Sequence, residues 1–151
     1  MARLLMAAVL TPAPIEAAIA AVLQRWLAQP FCMPDANCAI DLLDYAEQLT
    51  GRRFTQRPSR SQVMHIARDP YGVAEIAAEA LQQLGCRPIA NDVIRGDLAI
   101  IASVDHRPTA SLCLKAGTDG QAPMMAARGG EGIEIVRVEP EYAWRVPCPR
   151  P

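Results

Sequence analysis

The chain has 151 residues, 51% hydrophobic and 21% charged, which fits one globular domain with a sizeable core rather than a disordered segment. A net charge of −1 and a pI near 6.1 remove the electrostatic case for nucleic acid as a partner. Five cysteines, at positions 32, 38, 86, 113 and 148, form no Cys-x-x-Cys pair and no zinc-ligand spacing. That odd, scattered set implies no disulfide framework, no metal centre and no cofactor, and suits a reducing compartment.

The opening Met1-Ala2-Arg3-Leu4-Leu5-Met6-Ala7-Ala8-Val9-Leu10 carries an apolar run short for a secretory leader. Pro12 and Pro14 follow before any clear cleavage site, so this stretch is expected to stay on the protein. No apolar run approaches the roughly 18 to 20 residues that span a bilayer.

Thr11-Pro12-Ala13-Pro14 combines a capping hydroxyl with prolines suited to a first helical turn. Ile15, Ala18, Ile19, Val22, Leu23, Trp26 and Leu27 then recur at helical spacing, and Pro30 ends the pattern. A second helix is expected from Cys38 to Thr50, closed by Gly51, with Cys38, Leu42, Tyr45 and Leu49 on one face. Residues 52–60, with Arg52, Arg53, Arg57 and Arg60 among polar neighbours, read as a solvated loop. A short helix over Ser61–Arg68 should break at Asp69-Pro70. A third amphipathic helix runs from Val73 to Leu84, carries Val73, Ile76, Ala77, Ala80, Leu81 and Leu84, and stops at Gly85.

From Gly96 the period changes. Gly96-Asp97 introduces a buried-strand run from Leu98 to Val104, Asp105-His106-Arg107-Pro108 is a turn, and Ala110–Lys115 is the return strand. Met124–Arg128, Gly132–Val138 and Tyr142–Val146 complete a meandering sheet. Pro147-Cys148-Pro149-Arg150-Pro151 cannot continue it and forms an extended tail, of a kind that orders only when docked. Helices first and antiparallel strands second define an α+β domain over residues 1–151, with no internal repeat.

Two residue types carry the candidate chemistry. A thiol on the first turn of a helix meets unpaired backbone N–H groups and the positive end of the helix dipole, and both favour the nucleophilic thiolate. Cys38 holds that place. Asp41, one turn along, opposes the effect with its negative charge. A cysteine hydrolase also needs a proton acceptor, and the chain has only His65 and His106. His106, in the turn before the return strand, is the better placed of the two. The blander reading of Cys38 is a small buried thiol on a helix face, and it is preferred here.

The order of these parts is specific. The helix-borne Cys38, the Thr50-Gly51 stop, the Gly96-Asp97-Leu98 strand entry and the closing Ala143-Trp144-Arg145 together resemble a tailed-phage and prophage protein family related to the NlpC-type (papain-like) cell-wall cysteine peptidases. The resemblance spans roughly residues 15 to 147. That family typically reads Phe-x-Trp-Gly-x-x-Asp-Cys before its helix, where this chain has Phe31, Cys32, Met33, Pro34, Asp35, Ala36, Asn37 and Cys38. Met33, Pro34 and Asn37 are therefore departures. The resemblance implies N-terminal helices packed on a C-terminal antiparallel sheet, with a base histidine opening the strand after the Gly-Asp strand and a polar third residue on the next. Here those places fall near Thr109-Ala110-Ser111, without histidine, and near Pro123-Met124-Met125-Ala126, which is apolar.

The resemblance thus implies a structural tail-tip or baseplate component of a tailed phage or phage-like particle. Such a component is made in the bacterial cytoplasm and carried in the virion against other tail and hub proteins, on a peptidase-like fold whose chemistry has degenerated. The alternative is an active cysteine endopeptidase acting on peptidoglycan stem peptides, with Cys38 as nucleophile and His106 as base. An amidase-like bacterial enzyme unrelated to phage is a third, weaker reading.

Overall fold

A computed structural model describes residues 14–29, 38–56, 59, 61–62, 72–102, 108–129 and 132–148. Among the described residues, helices α1 (Pro14–Ala28), α2 (Cys38–Thr50) and α3 (Gly72–Gln83) precede six strands. The strands are β1 (Arg87–Pro88), β2 (Leu98–Ala102), β3 (Pro108–Lys115), β4 (Met124–Gly129), β5 (Gly132–Arg137) and β6 (Tyr142–Arg145). They form one antiparallel sheet in the order β1-β6-β2-β3-β4-β5. The α+β class and the helices-then-strands order match the sequence expectation. The sheet is a meander only from β2 to β5. β6 returns past three strands to pair with β2, setting Leu98 opposite Trp144 and Ile100 opposite Tyr142.

Local chemistry ends the helices where the glycines foretell. Gly51 takes a φ of 69° and donates to the Glu47 carbonyl at 3.0 Å. At the end of α3, the Gly85 N–H bonds Gln82 O at 3.0 Å and the Cys86 N–H bonds Leu81 O at 2.9 Å. This paired closure needs the left-handed backbone Gly85 supplies, at a φ of 84°. Ser59 and Gln62 form a reciprocal cap: the Ser59 N–H reaches Gln62 Oε1 at 2.8 Å, and the Gln62 N–H reaches Ser59 Oγ at 3.3 Å. Ser61 and Gln62 are helical; the rest of the expected short helix, with Asp69-Pro70, lies outside the described residues. So do the expected Thr11–Ala13 cap, the Pro30 stop, the Phe31–Asn37 motif, Arg57 and Arg60, tail residues 149–151 and Asp105–Arg107 of the expected turn, whose last residue, Pro108, instead opens β3 opposite Ala102. Arg52 and Arg53 are exposed, as a solvated loop requires.

The main core lies between the helices and one face of the sheet. Ile15, Ile19, Val22 and Trp26 of α1, Leu42, Tyr45 and Ala46 of α2, and Leu81 and Leu84 pack on Leu98, Ile100, Leu112, Ala126 and Trp144. Leu27 departs from the expected stripe and is 71% exposed, because at 3.6 residues per turn it stands about 100° round from Trp26. Alternate residues of the strands point to the other face, where Ala99, Ile101, Cys113, Met125, Ala127 and Ala143 form a second buried cluster. Burial on both faces explains why Leu98–Ala102 reads as an unbroken apolar run.

Candidate functional site

α2 packs on β3 with α1 at its side, and its Asp41 meets the C-terminal end of α1 and strand β4. Asp41, one turn into α2, is buried there, and its carboxylate is surrounded by donors. Trp26 Nε1 donates to Oδ2 at 2.7 Å, Arg128 Nη1 to the same oxygen at 2.9 Å, and Arg25 Nη1 to Oδ1 at 3.0 Å. Arg25 also reaches Asp44 Oδ2 at 3.1 Å, and the neighbouring carboxylates raise the Arg25 pKa above its ordinary value, the Asp41 hydrogen bond most of all. Arg128 comes from β4 with its side chain 0% exposed, and its Nη2 donates to the Gln29 carbonyl at 2.7 Å, just past the end of α1. One guanidinium therefore ties α1, α2 and the sheet together.

The positions that the resemblance singles out lie on β3 and β4. Of the three residues near the start of β3, Ala110 is the one in the core beneath the helices, while Ser111 turns its Oγ to the Ala99 carbonyl at 3.2 Å. Of the expected Thr109-Ala110-Ser111 stretch, the residue that faces the helices is an alanine. On β4, Ala126 sits opposite Leu112 and is buried in the same core. Arg128, two residues on and therefore on the same face, was not among the candidates read from the sequence. Nothing local in the sequence marks it, because its partner Asp41 lies 87 positions away.

α2 begins at Cys38, three residues before Asp41. The Cys38 side chain, Cys32, His65 and His106 lie outside the described residues, so the Cys38–His106 pair proposed from sequence has no geometry here. Cys86 and Cys113 are buried thiols whose pKa values burial pushes up to about 11, which keeps them protonated and unreactive near neutrality.

A second buried ion pair fixes the Gly96-Asp97 corner. Arg145 Nε and Nη2 grip Asp97 Oδ1 and Oδ2 at 3.1 and 3.0 Å, and the Ile94 N–H adds a third bond at 2.9 Å. The Asp97 main chain closes the turn through Ile94 O and receives the Cys113 N–H. Tyr45 Oη donates to the Gly96 carbonyl at 2.8 Å, and Gly96 has a φ of 94° with Ile15 where a Cβ would stand. Gly-Asp and the arginine after Trp144 are thus structural partners: they hold β2, β6 and α2 in place.

Among the described residues no group of three or more His, Cys, Asp and Glu side chains is arranged to hold a metal ion, and no helix is long and apolar enough to cross a membrane. A cavity of about 160 Å³ opens on the far face of the sheet, lined by Ile101, Ala127, Val136 and Val138 with Glu134 beside them. Comparison with protein-family models, curated proteins and solved structures found no match.

Proposed function

We propose that this chain is a structural component of the tail tip or baseplate of a phage or phage-like particle, built on an NlpC-like scaffold whose hydrolytic centre has become an anchoring ion-pair cluster. The observation that carries this reading is Arg128. A guanidinium has five donors and no acceptor, so it cannot take a proton from a thiol. It fills the space between α2 and the sheet with its charge spent on Asp41. The buried methyl of Ala110 on the neighbouring strand supports the same conclusion. Acyl transfer needs a base within hydrogen-bond reach of the nucleophile and an acid for the leaving amine.

The start of α2 at Cys38 favours a second reading, a cysteine endopeptidase acting on cell-wall stem peptides with His106 as base. One experiment separates the two. The purified chain and its Cys38→Ser variant are incubated with bacterial cell wall, and each is used to complement particles lacking the protein. The structural reading expects no release of new amino termini and full restoration of tails by both chains. Peptide release that disappears in Cys38→Ser contradicts it.

A further inference from the structure

We infer that the outer edge of β5 is a self-association surface, through which two copies of this chain pair their β5 strands antiparallel about a two-fold axis at Ile135. The two ends of the sheet differ. β1 is two residues long and contains Pro88, which has no N–H to offer, so that edge is blunted. β5 is six residues long, Gly132-Ile133-Glu134-Ile135-Val136-Arg137, with no proline and no register break against β4.

The ladder tells which of its groups face outward. Gly129 pairs with Gly132 across a two-residue connection, and the Val138 N–H bonds Pro123 O at 3.2 Å. Antiparallel pairing alternates, so positions 132, 134, 136 and 138 bond inward to β4. The N–H and C=O groups of Ile133, Ile135 and Arg137 therefore point away from the sheet, and among the described residues no strand lies beyond them. Ile135 is also 54% exposed, one of three large apolar side chains left so open among the described residues.

A second β5 satisfies this edge by symmetry. With Ile135 opposite its own copy, the outward groups at 133, 135 and 137 meet their counterparts at 137, 135 and 133. The exposed isoleucines cover one another, and Arg137 falls opposite Ile133 rather than opposite its own copy. Parallel in-register pairing would instead stack Glu134 on Glu134 and Arg137 on Arg137, which like charges oppose. Five paired residues bury well under the roughly 1,200 Å² of a standard stable interface, so the dimer dissociates in the micromolar range.

The test is the solution mass by light scattering at concentrations up to about 200 µM, enough to saturate a micromolar equilibrium. The expected mass rises from that of the 16.4 kDa chain to twice it. Ile135→Pro removes an outward N–H and the exposed isoleucine side chain without touching a bond to β4, and Ile135→Lys sets two like charges at the axis; each should hold the chain monomeric at the same concentration. Hydrogen exchange should show the amides of Ile133, Ile135 and Arg137 gaining protection as concentration rises, with those of Glu134 and Val136 protected throughout. A single-chain mass at every concentration overturns the inference, and so does a dimer that survives in a folded variant of either kind.

Discussion

Arg128 and Asp41 are separated by 87 positions in the sequence and meet at 2.9 Å in the interior. Neither is explained by its own neighbourhood. A buried arginine in a strand and a buried aspartate on the packed face of a helix each cost desolvation, and each is tolerated because the other is present. Trp26 and the Gln29 carbonyl complete the set, so the cluster fixes how α1 and α2 sit on the sheet.

Breaking this pair from one side should be severe. Asp41→Asn removes the carboxylate charge that faces Arg128, and Arg128→Met leaves Asp41, among the described residues, with the half-exposed Arg25 as its cation. Either should cost about 3 kcal/mol or more of folding free energy. The double variant Asp41→Asn, Arg128→Met should lose clearly less than the two losses added. Urea denaturation of the four proteins measures this, and strict additivity would deny the coupling.

Gly96→Ala should destabilise by about 2 kcal/mol or more, because the added methyl meets Ile15 and the residue must keep a left-handed backbone. Tyr45→Phe removes only the bond to the Gly96 carbonyl and should cost about 1 kcal/mol. Equal losses in thermal or urea unfolding would mean that the corner is looser than its geometry.

The two arginine–carboxylate pairs that end in bidentate contacts should differ sharply. Arg95 grips Glu16 at 2.9 and 2.8 Å on the surface, and the Arg95 hydrogen bond lowers the Glu16 pKa from its ordinary value. A folded-state carboxylate lowered in this way adds stability above its unfolded pKa and loses it as pH falls through the folded value. Since both side chains are nearly half exposed, Glu16→Gln should cost under about 1 kcal/mol, and less still in high salt. Arg145→Gln, which leaves the fully buried Asp97 carboxylate without its guanidinium, should cost several times more. Comparable losses for the two would contradict the burial argument.

Cys86 and Cys113 give an alkaline signature. Their folded pKa values near 11 exceed the ordinary thiol value of 9.0, so the folded state holds protons that the unfolded state has released. Their contribution is fully present below pH 9 and is lost as pH rises from about 9 through 11. Urea unfolding across that range should show stability falling, and Cys113→Ala should flatten part of the slope. A slope unchanged in Cys113→Ala would remove that thiol from the explanation.

Much of the fold was legible because its signals are local. The stripe through Ile15, Ile19, Val22 and Trp26, the helix-ending Gly51 and Gly85, and the apolar run from Leu98 each state a period or a stop within a few residues. β1 was missed, since Arg87-Pro88 is two exposed residues that become a strand only by lying beside Arg145 and Trp144. The return of β6 to β2 was missed for the same reason. At the candidate site, the lack of a histidine near Ala110 was readable, but Arg128 was not. Its partner is one carboxylate far away in the chain, and a single long-range pair leaves no periodicity. The exposed Leu27 shows the converse error, an apolar residue added to a stripe that had already turned past it.

The reactivity of Cys38 tests the structural reading most directly. The rate of modification by a thiol reagent is measured from pH 5 to 9 in the wild-type chain, in Cys38→Ser and in His106→Ala. A scaffold without a base gives a Cys38 rate that climbs only toward the ordinary alkaline thiol range and does not change in His106→Ala. Fast labelling of Cys38 at pH 6 that collapses in His106→Ala would contradict it, and would make this helix the seat of a working hydrolase.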